Sequence, residues 1–203
     1  MAARENILAA LRRAARAVAL PDLPKGGARF ADRRRQLGEA LASVGGTCVP
    51  VADRAAADRA LATLAIYREA KKIVSLVPGV GASSLEIGAV SDPHELEGLD
   101  VAVLPGTLAV AENGAVWIDG SVLPHRALFV IPEHLVLVVD AAAIVDDMHE
   151  AYARLAELPV GYGVFISGPS KTADIEQALV IGAQGARSCT LLLVGPMGER
   201  PAI

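Results

Sequence analysis

The chain has 203 residues, of which 53% are hydrophobic and only 3% are aromatic, and its formal net charge is −4. This length fits one α/β domain, and the apolar residues, mainly Ala, Val, Leu and Ile, suit buried parallel strands covered by alanine-rich helices. The acidic balance and the few aromatics argue against nucleic-acid binding. No apolar run is long enough to cross a bilayer, so we expect a soluble, cytoplasmic protein without a membrane span.

The charges are distributed unevenly along the chain. Residues 1–40 carry nine Lys/Arg against four Asp/Glu, whereas the remainder carries ten against nineteen. We therefore divide the chain into an N-terminal helical arm at 1–40 and an α/β domain at 41–203. The basic arm is explained either by docking on an acidic partner or by an ordinary solvated helix face, and the sequence leaves both readings open.

The predicted elements begin with an amphipathic helix, because Ile7, Leu11 and Val18 share one face at helical spacing. Helices are predicted at 3–19, 28–44, 53–70, 143–157 and 173–183. Strands are predicted at 47–51, 71–77, 101–105, 128–132, 135–140, 163–167 and 189–195. Strands that alternate with helices indicate βαβ crossovers and a mainly parallel sheet.

A hairpin interrupts this alternation at 107–120, where Asn113 and Gly114 lie between two apolar arms. Asn-Gly is the strongest short hairpin signal, so we expect a mixed sheet or an antiparallel flap. Glu112 stands beside the turn. A partly buried carboxylate there would suit a general base or nucleophile, while a plain hairpin would equally tolerate an exposed glutamate.

The segment Ser167–Glu176 lies between a predicted strand and a predicted helix, which in an open parallel α/β sheet is where ligands bind. Gly168 shapes the turn, Ser170 and Thr172 offer hydroxyls, and Lys171 places a positive charge beside the N-terminus of the predicted helix. These groups could hold a small carboxylate or phosphate. Alternatively, a hydroxyl simply caps the helix, and two acidic residues in its first turn complement the helix dipole.

Three further features carry weaker chemical signals. His134 precedes an apolar strand, where a lone histidine is more often a hydrogen-bonded strand-end residue than a catalyst. Cys48 and Cys189 lie in apolar stretches without metal-ligand spacing, so we expect no zinc and no iron–sulfur cluster in this chain. Gly79-x-Gly81 lacks the third glycine of a nucleotide-binding loop and indicates a tight turn.

Segments of the chain together resemble the lactate-utilisation protein C (LutC, or YkgG) family, whose fold is called the LUD domain. These segments are Ala111–Gly114, Ile131–Leu135, Ser167–Glu176 and Leu179–Gly182. The resemblance implies a three-layer α/β/α fold with a mainly parallel, mixed sheet, related to the sugar-phosphate isomerase and CoA-transferase group (NagB/RpiA/CoA transferase-like), whose active sites handle small anions. In the related CoA transferases a Glu-Asn-Gly motif carries the nucleophilic glutamate, and Glu112 stands in a similar motif here.

The resemblance also implies a role in oxidising L-lactate to pyruvate together with iron–sulfur partner proteins. On this reading the chain is an accessory, substrate-binding subunit without a cofactor of its own. Glu112 and His134 are the candidate catalytic residues. The residues expected to bind a small carboxylate or phosphate are Gly168, Ser170, Lys171, Thr172, Asn113 and Gly114.

Two other functions stay open on the sequence. The chain could be a stand-alone CoA-transferase-like or isomerase-like enzyme that uses Glu112, or a regulatory or scaffolding module that docks through residues 1–40. The family usually has Thr or Ser where Asn113 stands, and His-Gly-Pro where this chain has Gln184-Gly185-Ala186. A catalytic role for that histidine would therefore be missing here. The sequence leaves homo-oligomerisation open.

Overall fold

The computed structural model describes residues 2–14, 26–158, 161–172 and 179–196. The helices are α1 (Ala2–Ala14), α2 (Arg33–Ser43), α3 (Arg54–Thr63), α4 (Ala65–Arg68) and α5 (Met148–Ala156). The strands are β1 (Thr47–Val51), β2 (Ile73–Ser75), β3 (Val101–Pro105), β4 (Leu108–Val110), β5 (Val116–Asp119), β6 (His134–Asp140), β7 (Ile144–Val145), β8 (Gly163–Ile166), β9 (Lys171–Thr172), β10 (Val180–Ile181) and β11 (Ser188–Val194).

The main sheet has five parallel strands in the order β1-β11-β6-β3-β2. Its central strands are continuous apolar runs because both faces of the sheet are covered. In β6, for example, Leu135 to Val139 are all buried. This sheet confirms the predicted α/β fold with a mainly parallel sheet.

The hairpin strands belong to a second sheet of order β7-β4-β5-β8. Here β4 and β5 pair antiparallel on either side of the Asn113-Gly114 turn, as predicted, and β7 runs parallel to β4. The strand β8 pairs antiparallel with β5 and forms one edge. The segment after β8 therefore does not follow a strand of the parallel sheet, contrary to the prediction.

Helices and the second sheet cover the main sheet on its two faces. Leu37 and Leu41 of α2 are almost fully buried in the core between the main sheet and the second sheet. On the opposite face, Ala57 and Leu61 of α3 pack on the main sheet. The helix α5 covers the outer face of the second sheet through Leu155 and its neighbours. Full burial of one leucine contributes about 1.5–3 kcal/mol, so α2 is anchored firmly.

The helix α2 spans residue 40, and its residues Leu37 and Leu41 lie in the same core. The division of the chain at residue 40 stays a prediction. The helix α1 ends at Ala14 in the described part of the chain, while the rest of the predicted helix, at 15–19, lies outside the described residues. Ile7 and Leu11 of α1 are each 61% exposed.

The structure corrects three predicted elements. Residues 128–132 are not a strand, since Arg126–Phe129 form a short 3-10 helix in which consecutive residues Leu128 and Phe129 are both buried. The helix predicted at 53–70 is interrupted at Leu64, which adopts an extended conformation. The helix predicted at 173–183 is wrong at its C-terminal end, because Val180–Ile181 pair as a strand with Lys171–Thr172; residues 173–178 lie outside the described residues.

Among the described residues, no helix combines the length and the apolar character required for a membrane-spanning segment.

Candidate functional site

A cleft of about 530 Å³ lies between β8 with its following loop and the amino-terminal side of the main sheet. Its apolar surface comes from residues of β8, from Leu135 at the start of β6, and from Phe129. The polar residues that line it are Arg126, Tyr162, Ser167, Ser170, Lys171 and Gln184. An adjoining cleft of about 660 Å³ shares Val130, Gln184 and Gly185 with it.

The loop after β8 is held in place by backbone contacts on both sides. Gly168 has a φ of +73°, and a Cβ atom there would lie 2.8 Å from the carbonyl oxygen of Val44, so this position requires glycine. The N–H of Ser170 donates to the carbonyl of Ala186 at 2.8 Å, and the carbonyl of Ser170 accepts from the N–H of Gly182 at 3.0 Å. The loop is therefore fixed against both the end of α2 and the segment before β11.

The cleft contains polar side chains that have no partner in the part of the chain that the structure describes. Within the described residues, the side chains of Lys171, Ser170 and Gln184 form no hydrogen bond or ion pair with another protein group. Lys171 is exposed, and Ser170 is half-buried. The guanidinium of Arg126 stacks 4.4 Å from the centre of the Tyr162 ring, a cation–π contact that leaves its N–H groups free to donate. A positive, donor-rich cleft of this kind suits an anion.

Glu112 is placed differently from the cleft residues. Its carboxylate is exposed and accepts a hydrogen bond of 3.3 Å from the N–H of Met148, at the first turn of α5. Its N–H donates to the carbonyl of Asp146 at 3.0 Å. Glu112 does not line the cleft that contains Lys171. Its carboxylate therefore acts as a helix-capping group in this conformation.

The rest of the hairpin turn contacts the loop that follows β8. The Asn113 side-chain oxygen accepts from the N–H of Ala115 at 3.0 Å, and the Asn113 carbonyl accepts from the Ser167 hydroxyl at 2.7 Å. Gly114 packs directly on the backbone of Leu41 in α2. The fold thus brings Asn113 next to the predicted anion-binding segment, although Glu112 itself is directed to α5.

His134 lies at the start of β6, close to the adjoining cleft. Its Nδ1 atom is 2.8 Å from the Ser188 hydroxyl on the neighbouring strand, and its Nε2 atom is 4.0 Å from a carboxylate oxygen of Glu133. Arg187 donates to Glu133 at 2.7 Å. His134 lines neither cleft, and its hydrogen bond joins two adjacent strands. Thr172 lies in β9, the strand that pairs with β10.

The strongest electrostatic cluster of the described residues surrounds Asp146, before α5. Arg33 donates to this buried carboxylate at 2.6 and 2.9 Å, Arg29 at 3.0 Å, and the N–H of Phe30 at 3.2 Å. The hydrogen bonds from Arg33 hold the pKa of Asp146 well below its usual range. With all of its acceptor positions engaged, the carboxylate fixes residues 29–33 against the second sheet.

The cysteines are poorly suited to thiolate chemistry. Cys189 is 2% exposed, and burial raises its pKa to about 12. Burial also raises the pKa of Cys48 to about 11. Both are free thiols, and the thiolate is the form that reacts and binds metals. In the described part of the chain, no group of three or more His, Cys, Asp and Glu side chains is arranged to hold a metal ion.

Several residues of the cleft were not predicted from the sequence. Arg126, Tyr162 and Gln184 come from segments that are far apart along the chain, and no local motif marks them. Gln184 stands where the family that the sequence resembles usually has a histidine. The Arg126–Tyr162 stacking depends on a tertiary contact that no spacing rule reveals.

Comparison with known proteins identifies one family model, several partly matching relatives and one solved structure. The family model described as "LUD domain" matches residues 93–194. Lactate utilization protein C from Shouchella clausii is 29% identical over 107 residues, which cover 50% of this chain and 46% of that protein. Lactate utilization protein C from Bacillus pumilus is 32% identical over 91 residues, which cover 42% of this chain and 38% of that protein. An uncharacterized protein from Neisseria meningitidis serogroup B is 31% identical over 107 residues, which cover 51% of this chain and 46% of that protein.

The matched region therefore spans less than half the length of these curated relatives. Among solved structures, a DUF162 family protein from Deinococcus radiodurans superposes with a TM-score of 0.57 and 20% identity. That match covers 80% of this chain and 96% of the other. At this identity the likeness concerns the fold alone.

Proposed function

Because the chain belongs to the LUD domain family, we propose that it serves in lactate utilisation as an accessory, cytoplasmic subunit that binds a small carboxylate in the cleft beside β8. The family relatives named lactate utilization protein C support the metabolic setting. The finer role, a substrate-binding subunit of an L-lactate-oxidising system, rests on the chemistry of the cleft. In this proposal the electrons pass to iron–sulfur partner proteins.

The observation that carries the proposal is the pair Ser170 and Lys171 in the cleft wall, neither of whose side chains has a protein partner among the described residues. An ammonium group supplies a charge-assisted hydrogen bond to a carboxylate, and the adjacent hydroxyl can donate to the carboxylate or accept from the hydroxyl group of a 2-hydroxy acid. The half-buried side chains of Val164 and Ile166, which line the same cleft, provide apolar surface for a methyl group. L-lactate has all three features.

The two cysteines support a non-redox role for this chain. Because burial raises their pKa values to about 11 and about 12, both stay protonated near neutral pH. They are therefore weak candidates for thiolate ligands or for thiol–disulfide exchange. We propose that this subunit contributes binding and orientation of the acid, while its partners contribute the oxidation.

The proposal is tested by growth of a deletion strain on L-lactate as the sole carbon source. The strain is complemented with the wild-type chain, with Lys171→Ala, or with Lys71→Ala, a control that removes an exposed lysine beyond the clefts. We expect wild type and Lys71→Ala to restore growth and Lys171→Ala to restore it poorly. Full growth of the uncomplemented strain would contradict the role in lactate utilisation, and full growth with Lys171→Ala would contradict the binding site.

A further inference from the structure

Among the described residues, β8 forms an unpaired edge of the second sheet. The opposite side of β8 pairs with β5, and the carbonyl of Tyr162, just before β8, accepts from the N–H of Gly120 at 2.7 Å. Main-chain groups alternate in direction along a strand, so every second residue after Tyr162 faces β5. Gly163 and Phe165 therefore turn their N–H and C=O groups outward. Within the described residues, no strand pairs with these groups.

Aromatic side chains are concentrated around this edge. The chain has seven Phe, Tyr and Trp residues in total. Five of them form ring contacts at β8, with centroids 4.8 to 6.1 Å apart: Trp117, Phe129, Tyr152, Tyr162 and Phe165. In a protein this poor in aromatics, such a concentration beside an open strand is typical of an interface, where Tyr, Trp and Phe are enriched.

Several apolar or aromatic side chains near the edge are exposed. Tyr152 on α5 is 61% exposed, Tyr162 is 47% exposed, and Leu158 after α5 is 43% exposed. Tyr152 and Phe165 lie on the α5 side of the sheet, where Phe165 packs against Trp117. This side offers an apolar surface next to the free main-chain groups.

The cleft side of the same edge is basic. Arg126 stacks on Tyr162 at the beginning of β8, and Lys171 follows its end. Antiparallel pairing of β8 with a second copy, centred on Phe165, would bring the Arg126 end of one chain towards the Lys171 end of the other. Like charges on directly opposed strands are destabilising. The charges therefore favour a different, acidic partner.

We infer that the open edge of β8 binds an extended segment of a partner protein, which pairs with it as an additional strand. The segment alternates acidic side chains, which lie beside Arg126, with apolar side chains, which lie beside Tyr152 and Phe165. Main-chain hydrogen bonds to Gly163 and Phe165 supply the affinity, and the two faces supply the specificity, as in other β-strand additions. This inference does not depend on the carboxylate ligand of the proposed function.

The test uses the whole chain and a library of short random peptides displayed on phage. Selection should enrich peptides that alternate acidic and apolar residues. A selected peptide should slow amide hydrogen exchange at Gly163 and Phe165, measured by NMR. Arg126→Glu should weaken its binding by about tenfold, as expected for loss and reversal of an interface charge. The control Arg68→Glu, which changes an exposed arginine at the end of α4, should bind as wild type.

Three results would overturn the inference. The first is a failure to enrich any binding peptide. The second is enrichment of peptides that leave exchange at Gly163 and Phe165 unchanged. The third is protection of these amides that rises with protein concentration in the absence of peptide, which would assign the edge to a second copy. None of these results bears on growth on lactate, so the outcome is separate from that of the proposed function.

Discussion

Replacement of Gly114 by alanine should destabilise the protein strongly, because the hairpin turn packs on the backbone of α2. Gly114 has a φ of +72°, and a Cβ atom there would lie 2.8 Å from the Leu41 nitrogen and 2.9 Å from its Cα. The left-handed conformation costs a non-glycine residue about 1–2 kcal/mol, and overpacking in a rigid contact costs about 1–3 kcal/mol more. We therefore expect Gly114→Ala to lower the free energy of unfolding by about 2–5 kcal/mol.

The matched control is Gly79→Ala. Gly79 has a φ of +76°, but a Cβ atom there would meet nothing within 4 Å. This variant should lose only the conformational part, about 1–2 kcal/mol, and both variants share the same change in unfolded-chain entropy. Urea unfolding followed by circular dichroism measures both values. Equal losses in the two variants would refute the packing of Gly114 on Leu41 and, with it, the position of the hairpin turn.

Three further predictions concern charged and reactive groups. Asp146→Asn should lower the melting temperature at pH 7. Because Arg33 depresses the pKa of Asp146, the ionised carboxylate stabilises the fold above about pH 4, and this stabilisation is lost as the pH falls further. Thermal melts should therefore show a smaller difference between variant and wild type at the lowest pH. Cys189 and Cys48 should react slowly with a thiol reagent at pH 8 in the folded protein and rapidly in urea; rapid native labelling of Cys189 would contradict its burial. Glu112→Gln should still support growth on L-lactate, and a hydroxylamine-sensitive adduct on Glu112 would instead favour the CoA-transferase-like mechanism.

The sequence predicts those elements whose residues are set by local rules. Residues 101–105 and 135–139 are uninterrupted apolar runs, and the Asn113-Gly114 turn has the residues that a tight hairpin requires. The strand predicted at 128–132 is wrong because a short buried apolar run has the same composition in a strand and in a 3-10 turn. The sequence predicts Val180–Ile181 as part of a helix, yet these residues pair with β9, a contact that helical periodicity does not detect.

In the candidate site, too, local sequence rules predict some residues, while others depend on contacts between distant segments. The sequence predicts Ser170 and Lys171 as anion-binding residues because a Gly-Pro turn with adjacent hydroxyl and amino groups is visible in it. Both line the cleft, and their binding of an anion stays a prediction. No sequence rule marks Arg126 and Tyr162 as residues that line the same cleft, because their contact depends on where β8 lies relative to the short helix at Arg126–Phe129. The structure does not show the expected juxtaposition of Glu112 with Lys171, because the Glu112 carboxylate caps α5 and does not line the cleft that contains Lys171.

Titration calorimetry with L-lactate tests the carboxylate site most directly. The wild-type chain and Lys71→Ala should show the same saturable binding, and Lys171→Ala should bind about tenfold or more weakly, because it loses a charge-assisted hydrogen bond. Equal affinity of all three proteins for L-lactate, or no heat of binding to the wild-type chain, would contradict a carboxylate site in this cleft.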